Sequence, residues 1–115
     1  MQFAEILKGA ESEGKEKHVP FIEVVRGQGP EGSDLVHVLV GKETPHPNTV
    51  EHHIAWLELF GVKTDGQVIS LGRAEFAPSY SAPDVSFDAP VEQFKAFGAL
   101  SYCNIHGLWQ NIIEV

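Results

Sequence analysis

The chain has 115 residues and a net charge of −8, with 43% hydrophobic and 21% charged residues, a composition typical of one globular domain with its own core. The negative charge argues against nucleic acids and anionic membranes as partners, because the field of the protein would repel both. No signal peptide and no apolar run near the ~20 residues of a membrane span is readable, so with its single, free cysteine we expect a cytoplasmic protein.

A short helix is predicted at the N-terminus, where apolar side chains recur at helical spacing, at Phe3, Ile6 and Leu7. Beyond Pro20, β-branched and aromatic residues concentrate in seven runs, at 21–26, 35–40, 50–60, 68–76, 85–88, 96–103 and 108–114. Glycine, proline, asparagine and aspartate separate most of these runs and indicate turns. The pattern predicts an all-β fold, a seven-stranded antiparallel immunoglobulin-like sandwich or barrel, with residues 1–115 forming a single domain.

Three segments carry side chains that bind transition metals: Glu16 to Pro20 with His18, His46 to Ile54 with three histidines, and Ser101 to Trp109 with Cys103 and His106. A lone cysteine three residues before a histidine cannot form a zinc ribbon, which needs two such pairs. It can share one metal with ligands from other segments. The three segments together therefore predict a mononuclear transition-metal site.

His46 and His52 are six residues apart, which limits how both could bind one ion. On a continuous strand they would lie about 20 Å apart, and on a helix about 240° apart around the axis. The chain must therefore fold back between them, and residues 47–49 have suitable turn chemistry. We expect a strand to begin at about Val50, which would turn His53 away from His52 and exclude it from the site.

The remaining positions differ in how strongly they indicate a metal. His18 is followed by Val19-Pro20, which favours extended backbone and places His18 just before a strand. His37 alternates with apolar residues inside a strand and is expected to be a structural or surface histidine. Cys103 taken alone is better explained as a small buried hydrophobic residue than as a ligand.

Cys103 and His106 flank a two-residue turn, after which Gly107 can adopt a positive φ. We expect the amides of Asn104 and Ile105 to donate hydrogen bonds to the thiolate and to tune its basicity.

Four imidazoles and one thiolate exceed the four ligands of a structural zinc site. By softness, this donor set suits iron, copper, nickel or zinc. Five ligands leave an octahedral ion one open position, and a thiolate opposite that position pushes electron density towards whatever binds there. The pattern indicates redox chemistry on a small oxygen species.

Three motifs in this order resemble those of the superoxide reductases: Glu16-Lys17-His18-Val19-Pro20, His46-Pro47-Asn48-Thr49 through Glu51-His52-His53-Ile54, and Ser101-Tyr102-Cys103-Asn104-Ile105-His106-Gly107-Leu108-Trp109. The resemblance is to the one-iron neelaredoxin type, related to the catalytic domain of desulfoferrodoxin, and extends over about residues 16–109. It implies an oxidoreductase that reduces superoxide to hydrogen peroxide and so detoxifies reactive oxygen.

The resemblance also implies one non-haem iron ion per chain, cycling between Fe²⁺ and Fe³⁺. Its implied ligands are four equatorial histidines and an axial thiolate, namely His18, His46, His52, His106 and Cys103. Glu16 would occupy the sixth position in the ferric state only. Lys17 would draw in and orient the superoxide anion.

The implied electron donor is rubredoxin or a similar small redox protein, and the implied assembly is a homotetramer. With one cysteine, the sequence lacks the four-cysteine segment of desulfoferrodoxin, so we expect no second iron centre. Two alternatives stay open. A non-catalytic iron electron-transfer protein would use the same ligands without needing Lys17, and an immunoglobulin-like binding module would carry incidental histidines and no iron.

Overall fold

Two antiparallel sheets make up most of this protein, whose computed structural model describes residues 1–14 and 17–115. A short helix, α1 (Phe3–Ile6), precedes seven strands: β1 (Phe21–Val25), β2 (Leu35–Leu39), β3 (Ile54–Lys63), β4 (Val68–Glu75), β5 (Asp84–Asp88), β6 (Phe94–Cys103) and β7 (Gly107–Glu114). The predicted all-β, seven-stranded fold with a short N-terminal helix is therefore confirmed. Within the described residues, no helix has the length and apolar character needed to cross a membrane.

The smaller sheet has the strand order β1-β2-β5 and the larger one the order β4-β3-β6-β7. The two longest strands, β3 and β6, pair at the centre of the larger sheet and run in opposite directions. Their register places Ile54, the first residue of β3, beside Cys103, the last residue of β6. The chain before β3 and the turn after β6 therefore meet at one end of the sheet.

The core lies between the sheets and is built from alternate residues of each strand, since successive side chains of a strand point to opposite faces. In β2, Val36 and Val38 are fully buried, whereas the alternate residues Leu35, His37 and Leu39 are only half-buried. In the larger sheet, Leu57, Leu59 and Phe97 are also fully buried. Buried apolar area of this kind is the main stabilising contribution to the fold, at about 25 cal/mol per Å².

The third strand begins at Ile54, so the prediction that it begins at about Val50 is wrong. Thr49 and His52 exchange backbone hydrogen bonds of 2.9 and 3.2 Å, and the Thr49 hydroxyl accepts a further bond from the His52 amide at 3.1 Å. These bonds close a turn around residues 50–51 and engage the backbone groups that a strand would need. His52 and His53 both precede the strand, so strand alternation does not decide which way either side chain points.

His37 lies in the smaller sheet, where its ring is held between two carboxylates from the neighbouring strands. Nδ1 is 2.9 Å from Glu23 of β1, and Nε2 contacts Asp84 of β5. Burial by itself lowers the pKa of His37, but the hydrogen bonds and negative charges of Glu23 and Asp84 outweigh it and hold the pKa above the usual 6.5. His37 thus has the structural role that its position in the strand predicted.

Replacing His37 with glutamine should destabilise the protein more in mild acid than in alkali. A histidine whose pKa is raised by folding contributes its full stabilisation below the unfolded-state pKa and loses it as the pH rises through the folded-state pKa. Since both carboxylates are partly exposed, the difference should be at most about 1 kcal/mol. Urea unfolding of the wild-type protein and the His37→Gln variant at about pH 6 and about pH 9 measures this difference. An equal loss of unfolding free energy at both pH values would contradict the contribution of the ion pairs.

Candidate metal centre

The turn between β6 and β7 presents Cys103 at the end of the larger sheet. Its side chain is fully buried, and the His106 amide donates to Sγ across 3.3 Å. Gly107 has φ = 85°, so the predicted positive φ is confirmed, and a glycine adopts it without strain. The amide of Asn104, predicted to donate to sulfur, donates instead to the His53 carbonyl at 3.2 Å. The turn is rotated so that the amide at its end reaches the sulfur.

Asn104 ties this turn to the segment that precedes β3. Its Oδ1 accepts a hydrogen bond from the His53 amide at 2.8 Å, and its Nδ2 donates to the Glu51 carbonyl at 3.0 Å. The backbone on both sides of His52 is therefore held against the cysteine turn. This side-chain role of Asn104 was not predicted, and its one possible signal in the sequence is an asparagine directly after the only cysteine.

His46 is buried, and its ring lies beside that of His52 at the same end of the sheet. Its Nδ1 donates to the Pro47 carbonyl at 2.7 Å, so in the neutral ring the lone pair is on Nε2. Gly41, with φ = 89°, lies directly against it: a β-carbon there would be 2.6 Å from the His46 amide nitrogen. The absence of a side chain at Gly41 allows the His46 loop to pack this closely.

His18 is buried just before β1, in the position that its Val19-Pro20 context predicted. The Glu13 carboxylate accepts hydrogen bonds from the His18 and Val19 amides at 2.9 and 3.4 Å, and the Ser101 hydroxyl donates to the His18 carbonyl at 2.7 Å. The indole of Trp109 stacks on the imidazole, with the ring centroids 4.6 Å apart and an interplanar angle of 14°. Glu13, Ser101 and Trp109 were missed as supports because each acts through a contact distant in sequence or through the backbone.

The imidazoles of four histidines form a closed ring at this end of the sheet. Neighbouring ring centroids are 4.9 Å apart for His18 and His46, 4.7 Å for His46 and His52, 5.1 Å for His52 and His106, and 4.9 Å for His106 and His18. All four pairs meet edge to face, at 66–80°. The predicted fold-back between His46 and His52 is confirmed by this contact.

Cys103 adds a sulfur to this ring of nitrogens. Ligand atoms of His18, His46, His52 and Cys103 all lie within 4.8 Å of one another, and the Nδ1 atom of His106 is 3.7 Å from Sγ. Convergence of imidazole and thiolate groups at this spacing, at a buried location, is what a transition metal of borderline softness requires. The donor set fits a single iron ion.

Other residues singled out from the sequence lie outside this group. His53 donates from Nδ1 to the Thr49 carbonyl at 3.0 Å, and His37 is in the other sheet. Lys17, half-buried, donates to the Gly14 carbonyl at 3.3 Å and lines a cleft of about 250 Å³ with Lys42, among others. Glu16 lies outside the described residues.

The sequence matches the family model described as Desulfoferrodoxin over residues 10–112, a span that includes every residue of the cluster. It is 49% identical over 106 residues to a superoxide reductase of Pyrococcus horikoshii, with 87% of this chain and 88% of the relative covered. It is 45% identical over 118 residues to a superoxide reductase of Thermococcus kodakarensis, with 97% of each covered.

Among solved structures, the chain is similar to the superoxide reductase (neelaredoxin) from Ignicoccus hospitalis. The sequences are 36% identical, the TM-score is 0.82, and the similarity covers 100% of this chain and 98% of the other. The likeness therefore includes both sheets as well as the segments that carry the cluster.

Proposed function

We propose a mechanism from the premise that this chain belongs to the desulfoferrodoxin family and is a superoxide reductase. The observation that carries the mechanism is the closed ring of four imidazoles beside a buried cysteine sulfur. These residues would hold an iron ion, which would supply the one electron that, with two protons, converts superoxide to hydrogen peroxide; a reduced donor protein would return the electron. Residues 1–115 act as the single catalytic domain.

The proposed iron ligands are the four histidines of the ring and the cysteine beside it, namely His18, His46, His52, His106 and Cys103. The ring supports the four histidines as ligands that would hold the ion together, since each imidazole meets its two neighbours edge to face. Burial of Cys103 and the hydrogen bond from the His106 amide support a thiolate that would be a further ligand. Such a bond draws electron density from sulfur and moderates its donation to the metal.

The surrounding hydrogen bonds orient the proposed ligands. The Pro47 carbonyl selects the tautomer of His46 that carries its lone pair on Nε2, and Asn104 holds the backbone on both sides of His52. Ser101 and Glu13 hold the backbone of His18 from two directions. A site with ligands held in this way requires little rearrangement when the iron changes its oxidation state.

Lys17 is proposed to attract and orient superoxide, and Glu16 to bind the iron in the ferric state only. In a chain of net charge −8, an anionic substrate needs a local positive charge near the site, and Lys17 adjoins the proposed ligand His18. Glu16 offers a hard carboxylate oxygen, which favours Fe³⁺ over Fe²⁺. Both roles come from the resemblance of the 16–20 motif to that of the family.

Replacing Lys17 with alanine should slow the reaction of the reduced protein with superoxide by about tenfold, with little change in the iron spectrum. The loss should shrink as ionic strength rises, because salt screens charges near solvent. Pulse radiolysis measures the second-order rate directly. Lys63→Ala removes the same charge at the far end of β3 and serves as the matched control.

Glu16→Ala should change the ferric spectrum while the first encounter with superoxide keeps nearly wild-type speed. The opposite result would overturn the two roles: Glu16→Ala would react more slowly with superoxide, and Lys17→Ala would react at the wild-type rate. A reduced wild-type protein whose iron is not oxidised by superoxide would overturn the reductase mechanism itself and favour the electron-transfer alternative.

Rubredoxin or a similar small redox protein is proposed as the electron donor, in the cytoplasm, where the Cys103 thiol would stay reduced.

We also propose that the chain assembles as a homotetramer. Support comes from apolar side chains left exposed around α1 and the outer face of the larger sheet, where Phe3, Val68 and Ile112 are 63%, 61% and 57% exposed. Together with Leu7, Phe60 and Leu100 these residues line an open apolar groove.

A further inference from the structure

The segment after α1 adds a single paired residue to the edge of the larger sheet. Lys8 forms a parallel bridge with Trp109 of β7: its amide donates to the Leu108 carbonyl at 3.3 Å, and its carbonyl accepts from the Gln110 amide at 2.9 Å. Lys8 is exposed, but both of its backbone polar groups are engaged. The starting point of its side chain is therefore fixed relative to β7.

From that position the Lys8 ammonium reaches the turn that carries Cys103. Nζ donates to the His106 carbonyl oxygen at 3.2 Å and lies 5.5 Å from the centroid of the Trp109 indole, within cation–π range. Trp109 donates from Nε1 to the same His106 carbonyl, also at 3.2 Å. Two side chains thus converge on one peptide oxygen of the turn.

The Lys8–Trp109 pair contacts two members of the imidazole ring. Trp109, only 4% exposed, stacks on His18, and its hydrogen bond holds the backbone of His106. Lys8 adds a positive charge on the same side. These contacts join the N-terminal segment to the cluster, and none of the three motifs that predicted the metal site contains Lys8.

We propose that Lys8 is a positioning residue of the iron site, which holds the His106 turn together with Trp109 and whose charge raises the reduction potential of the iron. The inference rests on the proposed function, since it requires iron at the ring of histidines. A nearby positive charge disfavours the more positive Fe³⁺ state relative to Fe²⁺, so its removal must lower the potential. Because Lys8 is exposed, solvent reduces the effect without abolishing it.

The test is a redox titration of the iron absorption in four variants of the iron-loaded protein. Lys8→Gln and Lys8→Met should shift the Fe²⁺/Fe³⁺ ratio at a fixed potential about threefold towards Fe³⁺, or about 28 mV, since tenfold is about 59 mV for one electron. Lys8→Arg keeps the charge and should keep the wild-type potential. Lys63→Gln removes an equal charge at the other end of β3, roughly 30 Å from Ile54, and should also leave the potential unchanged.

A second readout needs no iron. In the metal-free protein, Lys8→Met should shift the NMR resonance of the Trp109 indole N–H, because the carbonyl that accepts its hydrogen bond loses the competing ammonium, whereas Lys63→Gln should not. Equal potentials in Lys8→Gln and Lys63→Gln would overturn the electrostatic role, and an unmoved indole resonance in Lys8→Met would overturn the positioning role. If the reduction potentials shift as expected but superoxide does not oxidise the reduced iron, the proposed function is contradicted and the role of Lys8 is still supported.

Discussion

Replacing Cys103 with serine should abolish superoxide reduction and remove the sulfur-to-iron charge-transfer absorption of the oxidised protein. A serine hydroxyl stays protonated near neutral pH and is a poor ligand for iron, whereas a thiolate binds it strongly. The position allows no substitute from solvent, because the Cys103 side chain is fully buried at the end of β6. The hydrogen bond from the His106 amide would then be made to an oxygen that donates little charge.

Absorption spectra, iron content and the superoxide rate of the same preparation measure this prediction. Tyr102→Phe is the matched control, because Tyr102 is adjacent in β6 but stacks on Trp56, away from the cluster, and should keep both properties. Metal-free wild-type protein should also have a lower free energy of unfolding than the iron-loaded protein. An ion that binds only the folded chain stabilises it by about 2.7 kcal/mol when the free ion is at 100 times its Kd. A serine variant with wild-type absorption and activity would show that Cys103 does not bind the iron.

His52→Ala should lose iron, whereas His53→Ala should keep it, although the two residues are neighbours. Loss of one ligand should lower iron affinity by more than the roughly 10–100-fold that loss of a supporting contact costs. The difference comes from the turn at 49–52, in which His52 meets the rings of His46 and His106 while His53 binds the Thr49 carbonyl. Iron per chain after dialysis against a weak chelator measures the effect.

This pair is its own control, because both substitutions remove an imidazole from the same short segment. Single alanine variants of His18, His46 and His106 should behave like His52→Ala, and His37→Ala should keep its iron. If His53→Ala lost the iron and His52→Ala retained it, the arrangement of the turn around residues 50–51 would be wrong.

Much of the fold and the choice of candidate ligands could be predicted from local sequence. Alternation of apolar residues in β2, where Val36 and Val38 are buried, identifies a strand because a strand repeats every two residues. The need for a fold-back between His46 and His52 followed from chain dimensions alone, which no tertiary contact can change. The chemistry of imidazole and thiolate likewise belongs to the residues themselves.

The start of β3 could not be predicted in the same way. Residues 50–53 are compatible with a strand in composition, but the bonds between Thr49 and His52 and the bridge from Asn104 hold them in a turn. Asn104 and His53 are 51 residues apart in sequence. Pairing over such a distance depends on the register of β3 against β6. Hydrophobic periodicity restricts that register to those that keep the apolar face buried, but it does not choose among them.

The all-β domain and the set of side chains chemically able to bind a metal follow from local sequence, because strand periodicity and ligand chemistry are local properties. The closed ring of four imidazoles beside Cys103 depends on the folded chain, and so do the hydrogen bonds that Lys8 and Trp109 donate to the His106 carbonyl from the edge of the larger sheet. Those contacts join residues as many as 98 positions apart. They form only once the β3–β6 register and the β6–β7 hairpin have placed the segments side by side, so the geometry of the site is a property of the folded chain.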